Sequence, residues 1–92
     1  MSPVQFTAID AASSETPLRA TFKVRLNGKV ISIATVGQAY SFITNLSAVE
    51  WMEFRALHED AITQLEAAAE EGIRTVQATN ALRALFVRAK VL

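Results

Sequence analysis

Two segments in which apolar and polar residues alternate predict a β-hairpin in the first third of the chain. They are RATFKVRL at residues 19–26 and KVISIA at residues 29–34, and Asn27-Gly28 separates them. Asn-Gly favours the type I′ turn of a two-residue hairpin, because both residues tolerate a positive φ angle. Strand pattern and turn chemistry therefore predict the same element.

The turn fixes the register of the two strands and with it the face on which each side chain lies. One face pairs Leu26 with Lys29, Val24 with Ile31 and Phe22 with Ile33; the other pairs Arg25 with Val30, Lys23 with Ser32 and Thr21 with Ala34. A slip by one residue would bury Lys23 and Arg25, which the pattern opposes. The hairpin is therefore predicted to have one apolar face and one basic face.

Apolar residues at helical spacing predict a short first helix over residues 36–46. Thr35 and Gln38 have the spacing of a capping box, in which each side chain bonds the backbone N–H group of the other residue. The apolar positions of this helix are Ala39, Phe42, Ile43 and Leu46. Because an isolated hairpin is marginally stable in water, we expect helices to cover its apolar face.

Two longer helices are predicted in the rest of the chain. A second capping box, SAVE at residues 47–50, begins a helix that should run to about residue 71, with Gly72 as the left-handed residue that ends it. Thr75 is predicted to cap a third helix. The apolar stripe of the third helix consists of Leu82, Leu85, Phe86 and Ala89.

One stripe of the long helix contains the only tryptophan and the only histidine of the chain. Its members recur at steps of three and four residues and are Trp51, Phe54, His58, Ala61, Leu65 and Ala68. This is the spacing of a packing surface. Because Glu59 and Asp60 directly follow His58, their side chains point toward other faces of the helix. We interpret His58 first as a buried, hydrogen-bonded structural residue; the alternatives are a pH-sensitive group in an interface and a catalytic base.

Residues 1–18 are predicted to be a partly flexible N-terminal segment, followed by one compact domain over residues 19–92. Val4, Phe6 and Ala8 alternate with polar residues, which leaves open a short third strand. The following DAASSETP has the composition of a linker. The predicted fold class is α+β: a two-stranded antiparallel β-hairpin, with an optional third N-terminal strand, packed on three α-helices.

Composition excludes several kinds of site and partner. The 92 residues contain no cysteine and one histidine, which excludes disulfides and zinc sites built from thiolates or several imidazoles. The formal net charge is zero, so no overall field attracts nucleic acid or a membrane. No apolar run approaches the roughly 20 residues of a membrane helix, and the first residues do not resemble a signal peptide. These features predict a cytoplasmic protein without metal or cofactor.

The order of the elements and a set of ordered motifs resemble a known family. The motifs are Asn27-Gly28, Thr35 before Ala39, Trp51, His58 with Ala61, Leu65 with Ala68, Gly72, and Arg83-x-x-Phe86-x-x-Ala89. Over residues 19–90 they resemble domain-of-unknown-function family 982, short proteins found mainly in rhizobia and related α-proteobacteria. Met52 and Leu82 depart from the family, which usually has proline and alanine at these positions. The resemblance implies a compact α+β domain and supplies no activity and no catalytic residues.

Charged residues of opposite sign are concentrated in different elements. Seven of the nine acids belong to the predicted long helix, where they form a solvated face: Glu50, Glu53, Glu59, Asp60, Glu66, Glu70 and Glu71. The hairpin carries the bases Lys23, Arg25 and Lys29, which keep an exposed face soluble or contact phosphates. A third use is complementarity between the basic hairpin of one chain and the acidic helix of another.

Three functions follow as hypotheses. The leading one is a small, non-catalytic protein-interaction module that forms a homodimer through Trp51, Phe54, His58 and Phe86. The alternative is a small nucleic-acid-binding regulator that uses the three hairpin bases named above. An enzyme or ligand-binding protein would require a concave pocket that includes His58 or Tyr40. We expect no enzyme, because no recognisable nucleophile motif or phosphate-binding loop is present.

Overall fold

Two antiparallel strands and three helices form an α+β fold in the computed structural model, which describes residues 14–26, 28–45 and 52–92. The elements in chain order are strand β1 (Pro17–Leu26), strand β2 (Lys29–Thr35), helix α1 (Val36–Asn45), a 3₁₀ turn (Met52–Phe54), helix α2 (Arg55–Glu70), a second 3₁₀ turn (Gly72–Arg74) and helix α3 (Thr75–Ala89). The predicted fold class is confirmed. The predicted N-terminal strand at Val4, Phe6 and Ala8 lies outside the described residues.

The hairpin has the predicted register over its outer half. Leu26 pairs with Lys29, Val24 with Ile31, and Phe22 with Ile33 on one face, while Arg25 pairs with Val30 and Lys23 with Ser32 on the other. Gly28 has a φ angle of 79°, as the predicted turn requires; Asn27 lies outside the described residues.

The inner half of the hairpin departs from the prediction. Pro17 pairs with Thr35, so the register shifts between Pro17 and Phe22, and the predicted pair of Thr21 with Ala34 falls within this shift. The backbone N–H of Arg19, inside the shifted stretch, donates to Thr79 Oγ1 of α3 at 3.0 Å. A helix hydroxyl thus provides a partner where the strand pairing is irregular.

Helix α1 begins with the predicted capping box. The Gln38 backbone N–H donates to Thr35 Oγ1 at 3.1 Å, and Thr35 N–H donates to Gln38 Oε1 at 3.2 Å. Gln38 Oε1 also accepts from Ala34 N–H at 2.7 Å. Three backbone donors at the junction of β2 and α1 are therefore satisfied by two side chains.

The long helix begins later than predicted and ends close to the predicted residue, Glu70 against about 71, but without the predicted glycine cap. Residues 52–54 form a 3₁₀ turn and α2 begins only at Arg55; the predicted cap at residues 47–50 lies outside the described residues. At the other end, Gly72 does not have a positive φ angle, and Glu71 before it is extended, with φ −131°. A 3₁₀ turn after an extended residue, rather than a left-handed glycine, therefore connects α2 to α3.

Thr75 begins α3 but does not cap it. No side chain caps this helix, and Thr75 Oγ1 instead accepts a hydrogen bond from Arg19 Nε at 3.0 Å. The hydroxyl is therefore used to hold β1 against α3. The predicted stripe of α3 is confirmed, since Leu82, Leu85 and Phe86 are fully buried and Ala89 packs against them.

Among the residues that the structure describes, one apolar core lies between the hairpin and the helices, and both strands and all three helices contribute to it. Its buried apolar members are Leu18, Phe22, Val24, Ile33, Val36, Ala39, Ile43, Ala61, Leu65, Ala68, Ala78, Ala81, Leu82, Leu85 and Phe86. Four of these are alanines of α2 and α3, whose small side chains permit close packing of the two helices. The apolar face of the hairpin is thus covered by helices near Phe22 and Val24, as its pattern predicts.

The C-terminal residues close one edge of the hairpin. Lys90 takes a left-handed conformation with φ 59°, which ends α3 and lets Val91 N–H donate to Phe86 O at 3.2 Å. Val91 O in turn accepts from the backbone N–H of Arg25 at 2.6 Å. The outer edge of β1 is therefore paired with the tail that follows α3.

Candidate functional site

Phe86, one of the four residues predicted to form an interface, belongs to the core. Its side chain has no exposed surface. The ring makes edge contacts with Phe22 and Phe42, with ring centroids 5.4 and 5.9 Å apart. A side chain enclosed in this way is not available to a second molecule, so the interface prediction does not hold for Phe86.

His58 connects two helices. Its ring is half-buried, and Nε2 lies 2.9 Å from the backbone oxygen of Ile43 in the last turns of α1. Because a carbonyl oxygen only accepts hydrogen bonds, Nε2 carries the proton and donates. This contact joins α2 to α1, which supports the structural interpretation of His58.

The other two predicted interface residues are placed differently. Phe54 is half-buried and packs against the core from the 3₁₀ turn before α2. Trp51 lies outside the described residues. The predicted stripe of the long helix is buried at Ala61, Leu65 and Ala68, so over α2 it faces the protein's own core.

A concave surface lies between the outer half of the hairpin and α1. The sequence did not indicate it. It is an open groove of about 730 Å³ with an apolar floor formed by Leu26, Ile31, Ile33 and Phe42. Polar residues line its rim, among them Glu15, Gln38 and Asn45. We call this surface the hairpin groove. Its size and apolar floor are those of a binding surface for a side chain or a segment of chain.

Over the described residues, α1 is shorter than the strand β2 beside which it lies in the hairpin groove. Ten helical residues span about 15 Å, whereas the seven residues of β2 span about 23 Å. The apolar face therefore continues beyond the helix, and Ile31 keeps 37% of its surface exposed although Ile33 is fully buried. A comparison of the lengths predicted for this helix and this strand could therefore have indicated an uncovered part of the apolar face.

Neither titratable residue named from the sequence lines the hairpin groove. His58 lies between α1 and α2, and the Tyr40 hydroxyl donates to Glu66 Oε2 at 3.1 Å, joining the same two helices. Partial burial raises the pKa of Tyr40 above its usual 10.0, and the hydrogen bond and charge of Glu66 raise it further. The hairpin groove therefore contains neither His58 nor Tyr40, and its floor is apolar.

The three bases proposed as nucleic-acid contacts do not share one face. Lys23 and Arg25 lie on the exposed face of β1, whereas Lys29 pairs with Leu26 on the face that carries the hairpin groove. Nearby, Arg83 is placed over the Phe22 ring, with its guanidinium carbon 5.7 Å from the ring centroid. The basic surface of the hairpin is thus divided, and nucleic-acid binding stays a prediction.

Two acidic residues of α2 and its flank form ion pairs with a neighbouring arginine. Glu59 pairs with Arg55 at 3.3 Å and Glu71 with Arg74 at 2.6 Å, both on exposed surfaces. Within the described ranges, no three acidic or histidine side chains come together in a way that could hold a metal ion. Among the helices that the structure describes, none is long and apolar enough to cross a bilayer.

Comparison with known proteins provides no relative for this chain. No protein-family model, no curated protein and no solved structure matches it. The resemblance to domain-of-unknown-function family 982 therefore stays a prediction that rests on the motifs in the sequence.

Proposed function

We propose that this protein is a small, non-catalytic protein-interaction module that forms a homodimer, with the hairpin groove as its contact surface. The observation that carries the proposal is the open apolar floor of the groove at Leu26, Ile31 and Phe42. An apolar surface with a polar rim is typical of sites where proteins associate. The proposal includes the cytoplasmic location expected from the sequence.

The size of the protein supports self-association. A domain of 92 residues buries only about 60–65% of the surface of its unfolded chain, so its core provides modest stability. Small domains commonly gain stability from disulfides, metals or a partner chain. Since the chain has no cysteine and one histidine, a partner chain is the reinforcement most compatible with its composition.

The proposed surface differs from the one expected from the sequence. The predicted interface consisted of aromatic residues of the helices, but Phe86 is enclosed and Phe54 packs against the core. The exposed apolar residues of the hairpin are on β2, where Val30 is 60% and Ile31 is 37% exposed. These two neighbours point to opposite faces of the sheet, and only Ile31 lines the hairpin groove.

The two neighbours provide a matched pair of variants. We expect Ile31→Glu to weaken the dimer by at least tenfold, because it places a charge on the apolar floor of the groove. Val30→Glu adds the same charge one residue away on the other face and should change the dimer constant by less than about threefold. Sedimentation equilibrium measures both constants, and circular dichroism confirms that both variants are folded.

Equal weakening by the two substitutions would contradict the assignment of the contact to the hairpin groove. An Ile31→Glu variant that is folded and dimerises like the unmodified protein would remove the groove from the proposal altogether.

A further inference from the structure

Helix α3 runs alongside the outer edge of β1, and the two elements point in the same direction. Near the start of β1, the backbone N–H of Arg19 donates to Thr79 Oγ1 of the helix. Near its end, the backbone N–H of Arg25 donates to Val91 O, just after the helix. The two contacts are separated by about 20 Å of strand. We call the surface along this line of contact the β1–α3 seam.

Five exposed basic side chains lie along the β1–α3 seam. Arg19 Nε donates to Thr75 Oγ1 of α3. In the opposite direction, Arg83 of α3 places its guanidinium over the Phe22 ring of β1. The other three are residues of contacts across the seam or their direct neighbours. The complete set is Arg19, Lys23, Arg25, Arg83 and Lys90.

The charges of the β1–α3 seam are not balanced by acidic side chains in the part of the chain that the structure describes. Strands β1 and β2 and helix α3 contain no aspartate or glutamate. The ion pairs among the described residues join Arg55 to Glu59 and Arg74 to Glu71, so they use none of the five bases. The acidic helix α2 packs mainly against α1 and α3. The seam is therefore a positive surface on a protein whose net charge is zero.

The chemistry of these side chains favours a row of phosphates as the partner. Lysine and arginine only donate hydrogen bonds, so the partner has to present acceptors along the whole seam. Among the described residues of the seam no aromatic side chain is exposed, since Phe22 and Phe86 are buried. Protein interfaces and membrane-bound helices commonly use aromatic anchors, and single-stranded nucleic acid stacks its bases on aromatic rings. A nucleic-acid duplex needs only contacts to its backbone.

We propose that the β1–α3 seam binds the phosphate backbone of a nucleic-acid duplex without reading its sequence. This goes beyond the proposed function and does not depend on it, because none of the five bases lines the hairpin groove. It also differs from the set of bases expected from the sequence, since Lys29 lies on the groove face and is not part of the seam. Affinity comes from the release of counterions when the bases neutralise phosphates.

Salt dependence tests this assignment with the unmodified protein. Fluorescence anisotropy measures its affinity for DNA and RNA duplexes of about 20 bp, each in two unrelated sequences. We expect the two sequences to bind equally, with affinity falling roughly 40- to 500-fold between about 50 and 200 mM salt, as three to five phosphate contacts require. Binding of either kind of duplex supports the proposal, and the tighter one identifies the preferred backbone.

Two pairs of matched variants locate the contact. Lys23→Gln and Arg83→Gln should each weaken binding by roughly three- to tenfold at low salt and reduce the logarithmic salt slope by about 0.9. Their controls are Lys29→Gln, on the other face of the hairpin, and Arg88→Gln, five residues after Arg83 and so on another side of α3. Each control should change the affinity by less than about twofold. Circular dichroism confirms that all four variants are folded.

Several results would overturn the proposal. They are no binding of either duplex at the lowest salt, an affinity that salt does not change, and equal weakening by the seam variants and their controls. Tighter binding to phosphatidylserine vesicles or to poly-L-glutamate than to the duplexes would also overturn it, by assigning the seam to a lipid surface or to an acidic protein. None of these measurements reports the dimer constant, so the proposed function is tested separately.

Discussion

At the scale of single residues, two glycines of this chain serve different purposes. Gly28 has a positive φ angle of 79° in the hairpin turn, whereas the backbone of Gly72 is outside the left-handed region. A Cβ atom at Gly28 would meet nothing within 4 Å, and one at Gly72 would meet only the Thr16 methyl group at 3.9 Å. Backbone conformation, and not space, therefore distinguishes the two positions.

Alanine substitution should separate the two roles. Gly28→Ala is expected to lower the free energy of unfolding by about 1–2 kcal/mol, because a Cβ atom is strained in the left-handed region. Gly72→Ala should leave stability unchanged or raise it by up to about 1 kcal/mol by restricting the unfolded chain. Urea denaturation of both variants measures the difference. A larger loss at Gly72 than at Gly28 would show that the turn assignment is wrong.

The only tyrosine allows its ionisation to be followed without interference from another phenol. Burial, together with the nearby Glu66, raises the pKa of Tyr40, so its phenolate absorbance should appear at higher pH in the folded than in the unfolded protein. By linkage, the stability from this group is complete below the unfolded pKa and falls as pH rises through the folded pKa. Glu66→Gln should move the titration to lower pH, because it removes the negative charge. An unchanged titration would contradict the contact between Tyr40 and Glu66.

At the scale of elements, the predictable parts are those encoded by neighbouring residues. The outer register of the hairpin follows from Asn-Gly and alternation, and the start of α1 follows from Thr35 and Gln38. The errors occur where a distant element supplies the partner. The shift in β1 accompanies a hydrogen bond from the Arg19 backbone to Thr79 of α3, 60 residues away. Thr75 accepts a hydrogen bond from the Arg19 side chain and does not cap its own helix.

Two buried threonines of α3 test how the helix holds β1. Thr79 Oγ1 accepts from the backbone N–H of Arg19, and Thr75 Oγ1 accepts from the Arg19 side chain. Thr79→Val should reduce the free energy of unfolding by about 1–3 kcal/mol, because it leaves a backbone donor without its partner. Thr75→Val should cost less than half as much, since the exposed guanidinium can turn to water. Chemical denaturation compares them, and equal losses would contradict this account.

At the scale of the whole molecule, the sequence predicts the fold class, but it does not indicate the hairpin groove. The helix stripe with Phe54 and His58 suggested an interface, but helical spacing alone does not distinguish a core from a contact with another chain. Ala61, Leu65 and Ala68 of this stripe are buried in the protein's own core, as is Phe86 of α3. The hairpin groove arises from the relative lengths of α1 and β2 and from their packing, which no single motif contains.

The most direct test of the central claim is the molar mass of the unmodified protein in solution as a function of concentration. Sedimentation equilibrium should show a reversible increase from the monomer mass of 10.0 kDa toward twice that value as the concentration rises through the micromolar range. This is the result expected if two copies associate through their hairpin grooves. A mass that stays at that of the monomer up to high micromolar concentration would contradict the claim.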